Sequence, residues 1–294
     1  IFGHTNAALD DYTRSIELDS KNFRALNNRA MLYRDLKNFD KAIQDLDQCL
    51  SVQPDFSEAL WNKSLTLLLV GEHDLGWELY ESRWSTPEFK CKARNFSSPL
   101  WLGENSLKNR TILIHSEQGL GDTLQFCRYI NLFKDLSCTV LLEVEKPLVT
   151  LMYSLLPREN IFEKGTPLPE FDYHCPMMSL PLAFKTIGII QLENGPYLRP
   201  TASAVARWSA VLGESNKTRI GLAWRGNPNH VKNNMRSIKL RELIPGLSRR
   251  FDWISLEINP TEEEADLMQK CGFIRNFGQE IGDFLSTSAL CRNL

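Results

Sequence analysis

A glycine-containing segment between His115 and Thr123 holds the first residues that could do chemistry. Its polar and glycine residues are Glu117, Gln118, Gly119, Gly121 and Asp122. Glycines after a strand allow a sharp turn and a close approach of the backbone to a ligand at the crevice of an open parallel sheet. The dinucleotide fingerprint would need a third glycine where Leu124 stands, and a P-loop would need Gly-Lys before Ser or Thr. A Rossmann oxidoreductase is therefore disfavoured.

Asp122 stands at the predicted start of the helix that follows this turn. A carboxylate there caps free amides and is stabilised by the helix dipole, but it repels a phosphate docked on the same amides. Two interpretations follow: Asp122 is only a helix cap, or its carboxylate is aimed at a hydroxyl group. A cap alone does not call for the flanking Glu117, Gln118 and two glycines.

A second polar segment follows another predicted strand, at 218–224. Its candidate ligand-binding residues are Trp224, Arg225, Gly226, Asn227, Lys232, Arg236 and Ser237. Permanent cations suit a diphosphate, because guanidinium groups bind its oxygens bidentately and glycine lets the backbone approach. The alternative is a solvated basic loop, and the position after a strand favours diphosphate contact. Ser255 and Glu257, at the end of the next predicted strand, could meet a nucleoside.

The composition is that of a soluble globular protein. The 294 residues carry 34 Lys and Arg against 36 Asp and Glu, and 43% of them are hydrophobic. A net charge of −2 argues against a nucleic-acid partner, and no apolar run approaches the roughly 20 residues that span a bilayer. Seven cysteines without metal-ligand spacing predict reduced thiols, no metal site and a cytoplasmic location.

The first third of the chain repeats with a period of 34 residues. The residues that keep this spacing are Ala8, Ala42 and Gly76, with Tyr12, Leu46 and Tyr80 four positions later. The best copy, at about 23–56, has the pattern of two amphipathic helices closed by Pro54, and it resembles the tetratricopeptide repeat. The next copy diverges at Ser64, Gly76 and Arg83. Two and a half repeats could form a groove for a peptide or partner protein, or serve as a cap or spacer.

Beyond the repeats, an aromatic and proline-rich connector is expected to pack against the next domain. Short apolar runs then alternate with helical patterns, which predicts parallel sheets with helices on both faces. The predicted strands are 111–115, 139–144, 218–224 and 251–256, with a short apolar run at 161–162. The predicted helices are 122–134, 147–156, 203–212, 239–249 and 261–270, and 171–181 is predicted to be a proline-rich loop.

The run HSEQGLGDTLQFCRYI, from His115 to Ile130, occurs together with FDYHCPMMSLP, RIGLAWRGNPNH and WISLE further along the chain. With the preceding repeats, these motifs resemble bacterial proteins that join tetratricopeptide repeats to a glycosyltransferase domain. That domain is similar to the ADP-heptose:lipopolysaccharide heptosyltransferase family, which has the GT-B architecture of two Rossmann-like domains. The resemblance covers about residues 111–294.

The resemblance implies an α plus α/β fold. We expect helical repeats at 1–84, the connector at 85–110, a Rossmann-like acceptor-side domain at 111–214, and a partial Rossmann-like nucleotide-sugar domain at 215–294. The chain begins without a methionine, and the family continues past the segment matching 283–294 with a strand and an Asp-Thr…His-Leu motif. The missing methionine and the resemblance together predict a chain truncated at both ends, with weak or no activity of its own.

The resemblance also implies a mechanism. Asp122, within Leu120-Gly121-Asp122, matches the family's proposed general base, which takes a proton from an acceptor hydroxyl in an inverting transfer. A nucleotide sugar would be the donor, a glycan or protein the acceptor, and no metal or other cofactor is expected. The polar residues of both segments, with Ser255, would bind these substrates. Glu257 departs from the family, which has glutamine there.

A rival hypothesis from another class is an interaction protein whose repeats bind partners and whose α/β region is catalytically inert. Asp122 together with Arg225, Lys232 and Arg236 favours the enzyme, because an inert region needs no carboxylate opposite cations. The sugar, the nucleotide and the acceptor stay open.

Overall fold

The computed structural model describes residues 2–185, 195–227 and 233–294. A series of α-helices is followed by parallel strands that alternate with helices, as the sequence predicts. The contacts divide the chain into two units, Ile1–Glu143 with Lys164–Gly195 and Val144–Glu163 with Pro196–Leu294. The helical repeats therefore share a unit with the first strands. Over the described ranges, no helix is both long and apolar enough to cross a membrane.

The helical array consists of α1 (Phe2–Leu18), α2 (Phe23–Asp35), α3 (Phe39–Val52), α4 (Ser57–Val70) and α5 (His73–Tyr80), extended by a 3-10 turn (Glu81–Ser85) and α6 (Pro87–Lys90). Local signals set the helix ends. The Asn22 side chain accepts a hydrogen bond from the Ala25 amide (3.0 Å), and Gly71 ends α4 with a φ of 90°. Small side chains let the helices approach closely, and the buried core contains Leu26, Ala30, Ala42, Leu46, Cys49 and Ala59.

The aromatic connector packs on the first sheet, as predicted. The ring of Phe96 lies 4.8 Å from that of His174, and the ring of the buried Trp101 lies 5.5 Å from that of Phe184. The Trp101 amide donates a hydrogen bond to the His174 carbonyl oxygen (2.9 Å). The connector is thus fixed by ring packing and by the backbone of the sheet.

The strands that follow are β1 (Thr111–His115), β2 (Thr139–Val144), β3 (Ile161–Glu163) and β4 (Tyr173–Pro176), with α7 (Leu120–Phe126) after β1 and α9 (Leu180–Ala183) after β4. In the first unit, β1 lies between β2 and β4 and is parallel to both, with Ile114 opposite Leu142 and Cys175. The prediction of a loop over 171–181 is wrong where β4 forms. Its proline, Pro176, lacks an amide hydrogen and is the last residue of the strand.

The second unit contains α8 (Val149–Met152), α10 (Ala202–Leu212), β5 (Arg219–Leu222), α11 (Asn233–Arg236), α12 (Leu240–Leu243), β6 (Asp252–Ser255), α13 (Glu262–Cys271), β7 (Ile274–Arg275) and α14 (Phe284–Cys291). The strands β5, β6 and β7 are parallel and lie in that order. Ile254 packs with Trp208 of α10 and Leu290 of α14. The preceding residue of the strand, Trp253, points to the opposite face and packs with Met268 of α13. Helices therefore cover both faces of this sheet, as predicted.

Three predicted helices are shorter than the sequence pattern indicates. The segment predicted at 122–134 is α7 followed by a 3-10 segment (Cys127–Leu136), and 147–156 contains only a 3-10 turn and α8. In the segment predicted at 239–249, α12 gives way to a 3-10 turn that holds Pro245, which lacks the amide hydrogen of a helix interior. The capping box at the start of α13 is confirmed by both of its bonds, between Thr261 and Glu264.

Candidate functional site

The glycine turn, defined as residues 116–121, leads from β1 into α7. The Gly119 amide donates a hydrogen bond to Asp122 Oδ2 (3.0 Å), and the Thr123 amide donates to the Gly119 carbonyl oxygen (3.1 Å). One oxygen of Asp122 therefore caps the helix. Asp122 Oδ1 has no hydrogen-bond partner within the described residues. That this half-buried carboxylate also accepts a hydroxyl proton stays a prediction.

The two glycines of the turn differ in their surroundings. A Cβ at Gly119 would lie 3.3 Å from Asp122 Oδ2, so a side chain there would crowd the cap. A Cβ at Gly121 would meet nothing within 4 Å in the part of the chain that the structure describes. Packing around Gly121 therefore gives no reason for a glycine there, and the space beside it is open.

Glu117 and Gln118, predicted to bind substrate, are bonded to the helical array. Glu117 Oε1 accepts a hydrogen bond from Arg83 Nε (3.0 Å), and Gln118 Nε2 donates to the Tyr80 hydroxyl (2.7 Å). The Glu117 side chain is only 3% exposed. Burial raises the pKa of Glu117 to about 7, while Arg83 acts in the opposite direction. Contact of these two side chains with a substrate stays a prediction.

Sequence reasoning assigned no role to Arg83, which is fully buried and donates a hydrogen bond to Glu117 of the glycine turn. A signal was present, because Arg83 stands 34 residues after the buried Cys49 of the array core. A charged residue at a core position of a repeat predicts a buried ion pair. The repeat pattern alone does not indicate which carboxylate completes it.

A second group of buried polar side chains, the histidine cluster, covers one face of the first sheet. It consists of His115, Glu143 and His174, with Arg94 and Phe96 of the connector. The His115 ring lies 5.6 Å from the His174 ring and 5.4 Å from the Phe96 ring. Arg94 forms an ion pair with Glu143, whose side chain is 0% exposed. Neither nitrogen of His115 has a hydrogen-bond partner among the residues that the structure describes.

The histidine cluster predicts acid sensitivity. Burial, with smaller contributions from His174, Arg94 and Lys164, lowers the pKa of His115 to about 3 from an ordinary value of 6.5. The unfolded chain therefore binds a proton at this residue below pH 6.5, whereas the folded protein stays neutral there until about pH 3. We expect His115 to lower the free energy of unfolding by about 3 kcal/mol between pH 7 and pH 4.

The test compares the wild type with His115→Phe in urea denaturation at pH 4, 5, 6 and 7. Phenylalanine keeps the ring contacts and binds no proton. Between pH 7 and pH 4, the free energy of unfolding of the variant should therefore fall by about 3 kcal/mol less than that of the wild type. Glu117 has the opposite sign, because its raised pKa gives stability below its unfolded value that is lost as the pH rises through about 7. Both proteins contain Glu117, so its effect cancels. Parallel pH curves for the two proteins would contradict the prediction.

In the second unit, Arg225 lies between two carboxylates. Its Nε is 3.4 Å from Glu257 Oε2 and 3.3 Å from Glu264 Oε1, and its Nη2 donates to the Asn259 carbonyl oxygen. Trp224, which is buried, donates its indole N–H to Glu264 Oε1 (2.7 Å). Burial raises the pKa of Glu257 despite the nearby Arg225. A diphosphate would have to compete with both carboxylates for Arg225, so this predicted contact stays a prediction.

The rest of the predicted diphosphate loop includes solvent-exposed residues. The Gly226 amide donates to Ser237 Oγ (3.3 Å), and Ser237 Oγ donates to Asn233 Oδ1 (2.9 Å). The guanidinium of the exposed Arg236 lies 3.6 Å from the position of a Cβ on Gly226. The structure thus brings Gly226, Arg236 and Ser237 together.

Three other residues predicted to bind the nucleotide sugar give no direct support for a ligand contact. Asn227 is exposed, and Lys232 lies outside the described residues. Ser255 is fully buried, and its hydroxyl accepts a hydrogen bond from the Glu257 amide (3.2 Å). The glycine turn and the Arg236 loop belong to different units, and the expectation that they face one another stays a prediction.

These features define a class of protein in which helical repeats lead into a parallel α/β region. Residues 23–56 match the family model of the tetratricopeptide repeat. The chain therefore contains a tetratricopeptide repeat, a helical unit whose stacked copies form extended binding surfaces. Its repeats are suited to interaction with other proteins.

The particular proteins to which this chain is similar include the following three. Protein FlbA of Caulobacter vibrioides is 23% identical over 239 residues, which cover 73% of this chain and 39% of FlbA. The second tetratricopeptide repeat domain of Spaghetti (RPAP3), bound to an HSP90 peptide, is 25% identical, covering 27% of this chain and 74% of that one with a TM-score of 0.26. An O-GlcNAc transferase mutant of Thermobaculum terrenum is 13% identical, and the match covers 57% of this chain and 39% of the transferase chain with a TM-score of 0.28. The chain spans about two fifths of the length of FlbA.

Proposed function

We propose that this protein uses its helical repeats to bind a partner protein and its α/β region to transfer a sugar from a nucleotide sugar to a glycan or protein hydroxyl. The observation that carries the proposal is the environment of Asp122. Its carboxylate lies in the first turn of α7, the helix that follows the parallel strand β1, one oxygen is held by the Gly119 amide, and the other has no partner among the described residues. A fixed, half-buried carboxylate of this kind suits a general base.

In the proposed reaction, Asp122 takes the proton from an acceptor hydroxyl as that oxygen attacks the anomeric carbon of the donor sugar. The bond between that carbon and the nucleoside diphosphate breaks, and the diphosphate leaves with the electron pair. The open space at Gly121 supports the approach of a substrate beside this carboxylate.

The leaving diphosphate needs positive charge and amide donors. Arg236 is a described group placed to provide the charge, because it is exposed beside Gly226, whose own amide donates to Ser237 Oγ. Arg225 is less available, since Glu257 and Glu264 already balance its charge.

A second candidate function is a protein-interaction scaffold with an inert α/β region. The specific observation that favours it is the internal use of three predicted ligand-binding side chains. Glu117 and Gln118 are bonded to the helical array, and Arg225 is held by two carboxylates. These contacts account for the three residues without any ligand.

A nucleotide panel decides between the two functions. Nucleoside diphosphates and nucleotide sugars are added to the full-length protein, and the melting temperature and calorimetric binding are measured. We expect at least one of them to stabilise the protein, by about 2.7 kcal/mol at a concentration of 100 Kd. The substitution Arg236→Gln should weaken the binding of that nucleotide at least about tenfold, because glutamine lacks the charged hydrogen-bond donor of arginine.

The matched control is Arg241→Gln. Arg241 is also an exposed cation of the second unit, with 59% of its side chain accessible, and it pairs with Glu263. This variant should bind the nucleotide as the wild type does. If no member of the panel binds the wild type, the scaffold is the better account of the protein.

A further inference from the structure

Arg83 is the most buried charged side chain of the helical array, with 0% of it exposed. A bare guanidinium is costly to remove from water, so its presence there requires compensating partners. It has them on three chain segments: the end of the array itself, the glycine turn after β1, and the 3-10 turn Met177–Ser179 after β4.

Each nitrogen of the guanidinium is used. Nε donates to Glu117 Oε1 (3.0 Å), Nη1 donates to Glu81 Oε1 (2.7 Å) and the Tyr80 carbonyl oxygen (3.2 Å), and Nη2 donates to Ser179 Oγ (2.7 Å). Ser179 Oγ in turn donates to Glu81 Oε1 (2.8 Å). A planar fork with five donors can satisfy this set of acceptors at once, and an ammonium group cannot.

Aromatic rings hold the fork in place. The Arg83 guanidinium carbon lies 4.5 Å from the centre of the Trp84 ring and 4.7 Å from that of Tyr80. The Tyr80 hydroxyl accepts the second bond from the glycine turn, donated by Gln118. Two consecutive residues of the turn, Glu117 and Gln118, are therefore tied to the last residues of the array.

We propose that Arg83 is a positioning residue that fixes the glycine turn through Glu117 and thereby sets the orientation of Asp122. The inference deepens the proposed function, on which it rests for the role of Asp122. The geometry runs from the Arg83 fork to Glu117, along the turn to the Gly119 amide, and from that amide to the Asp122 carboxylate. The repeats then serve as part of the frame of the α/β site.

The test is hydrogen exchange of the full-length protein, measured for the amides of residues 117–122 in the wild type and in Arg83→Met. Methionine keeps much of the apolar stem and removes every donor of the fork. We expect exchange in the turn to accelerate at least about tenfold, because the turn loses its buried attachment. Should Arg83→Met fail to fold, Arg83→Lys is judged by the same criterion.

The matched control is Arg29→Met. Arg29 forms a largely buried ion pair inside the array, with 15% of its side chain exposed, and donates to both oxygens of Asp45 at 2.8 Å. The Arg29→Met variant should show faster hydrogen exchange in α2 and α3 and unchanged exchange in the glycine turn. Equal acceleration of the turn in both variants, or none in the Arg83 variants, would overturn the proposal. This readout needs no nucleotide, so a wild type that binds no nucleotide would refute the proposed function while leaving the exchange result to decide the role of Arg83.

Discussion

Replacing Arg94 with methionine should lower the free energy of unfolding by about 3 kcal/mol, the lower end of the usual cost of removing one partner from a buried ion pair, because the Arg94 side chain is 32% exposed. The reason is the position of Glu143. Its side chain is 0% exposed on the face of the first sheet, where Arg94 is its ion-pair partner and the Gly165 amide donates one further hydrogen bond (3.3 Å). Without Arg94, the carboxylate keeps the Gly165 amide as a partner but loses the cation that balances its charge out of contact with water.

Urea denaturation of the single and double variants measures this effect. The double variant Arg94→Met with Glu143→Leu should recover most of the lost stability, because it no longer buries an unpaired charge. Arg110→Met is the control on the same sheet. Arg110 and Asp172 form an ion pair at 3.0 Å with side chains 57% and 37% exposed, so its loss should cost only about 0–1 kcal/mol. Equal losses for the Arg94 and Arg110 single variants would contradict the prediction.

The elements with a strong period could be predicted from the sequence. The spacing of 34 residues gave the helical array, and the apolar runs at 111–115 and 139–144 gave β1 and β2 with the same bounds as in the structure. These elements follow from local pattern because burial of one stripe or one run fixes their type. Beyond them, α10 and α13 lie within one residue of the predicted ranges, β5 and β6 are shorter than predicted, and β4, β7 and α14 were not predicted.

What could not be predicted depends on contacts between distant residues. Strand β4 was missed because it contains a proline and no alternation, and its pairing with β1 supplies the stabilisation that local pattern lacks. The partners of Arg83 and Arg225 were missed for a similar reason. Glu117 and Glu264 are 34 and 39 residues away along the chain from these arginines, and only the packed structure brings the charges together.

These pairings determine which residues of the candidate site are available to contact a substrate. Charge and position on the sequence placed Glu117 and Arg225 among the substrate contacts, but both side chains have internal partners. Asp122 and Arg236 differ from them, because Asp122 keeps one oxygen without a described partner and Arg236 is exposed. A decisive test of sugar transfer therefore concerns Asp122, and it must separate the base from the helix cap.

Asp122→Asn makes this separation. The amide oxygen of asparagine can accept the bond from the Gly119 amide, so the cap is retained, and the free energy of unfolding should change by no more than about 0.5 kcal/mol. Asparagine takes no proton from a hydroxyl. Once a donor has been identified with the nucleotide panel, we expect the rate of sugar transfer by the full-length protein to fall by about 10²–10⁴-fold, the usual contribution of a general base.

Asp122→Ala and Glu117→Gln complete the comparison. Alanine removes both the cap and the base, so it should lose about 1 kcal/mol of stability in addition to the activity. Glutamine at position 117 still accepts a hydrogen bond from Arg83 and leaves Asp122 unchanged, so transfer should persist at a rate nearer to that of the wild type. An Asp122→Asn protein that transfers sugar at the wild-type rate would reduce Asp122 to a helix cap, and the general base would then have to be sought elsewhere in the protein.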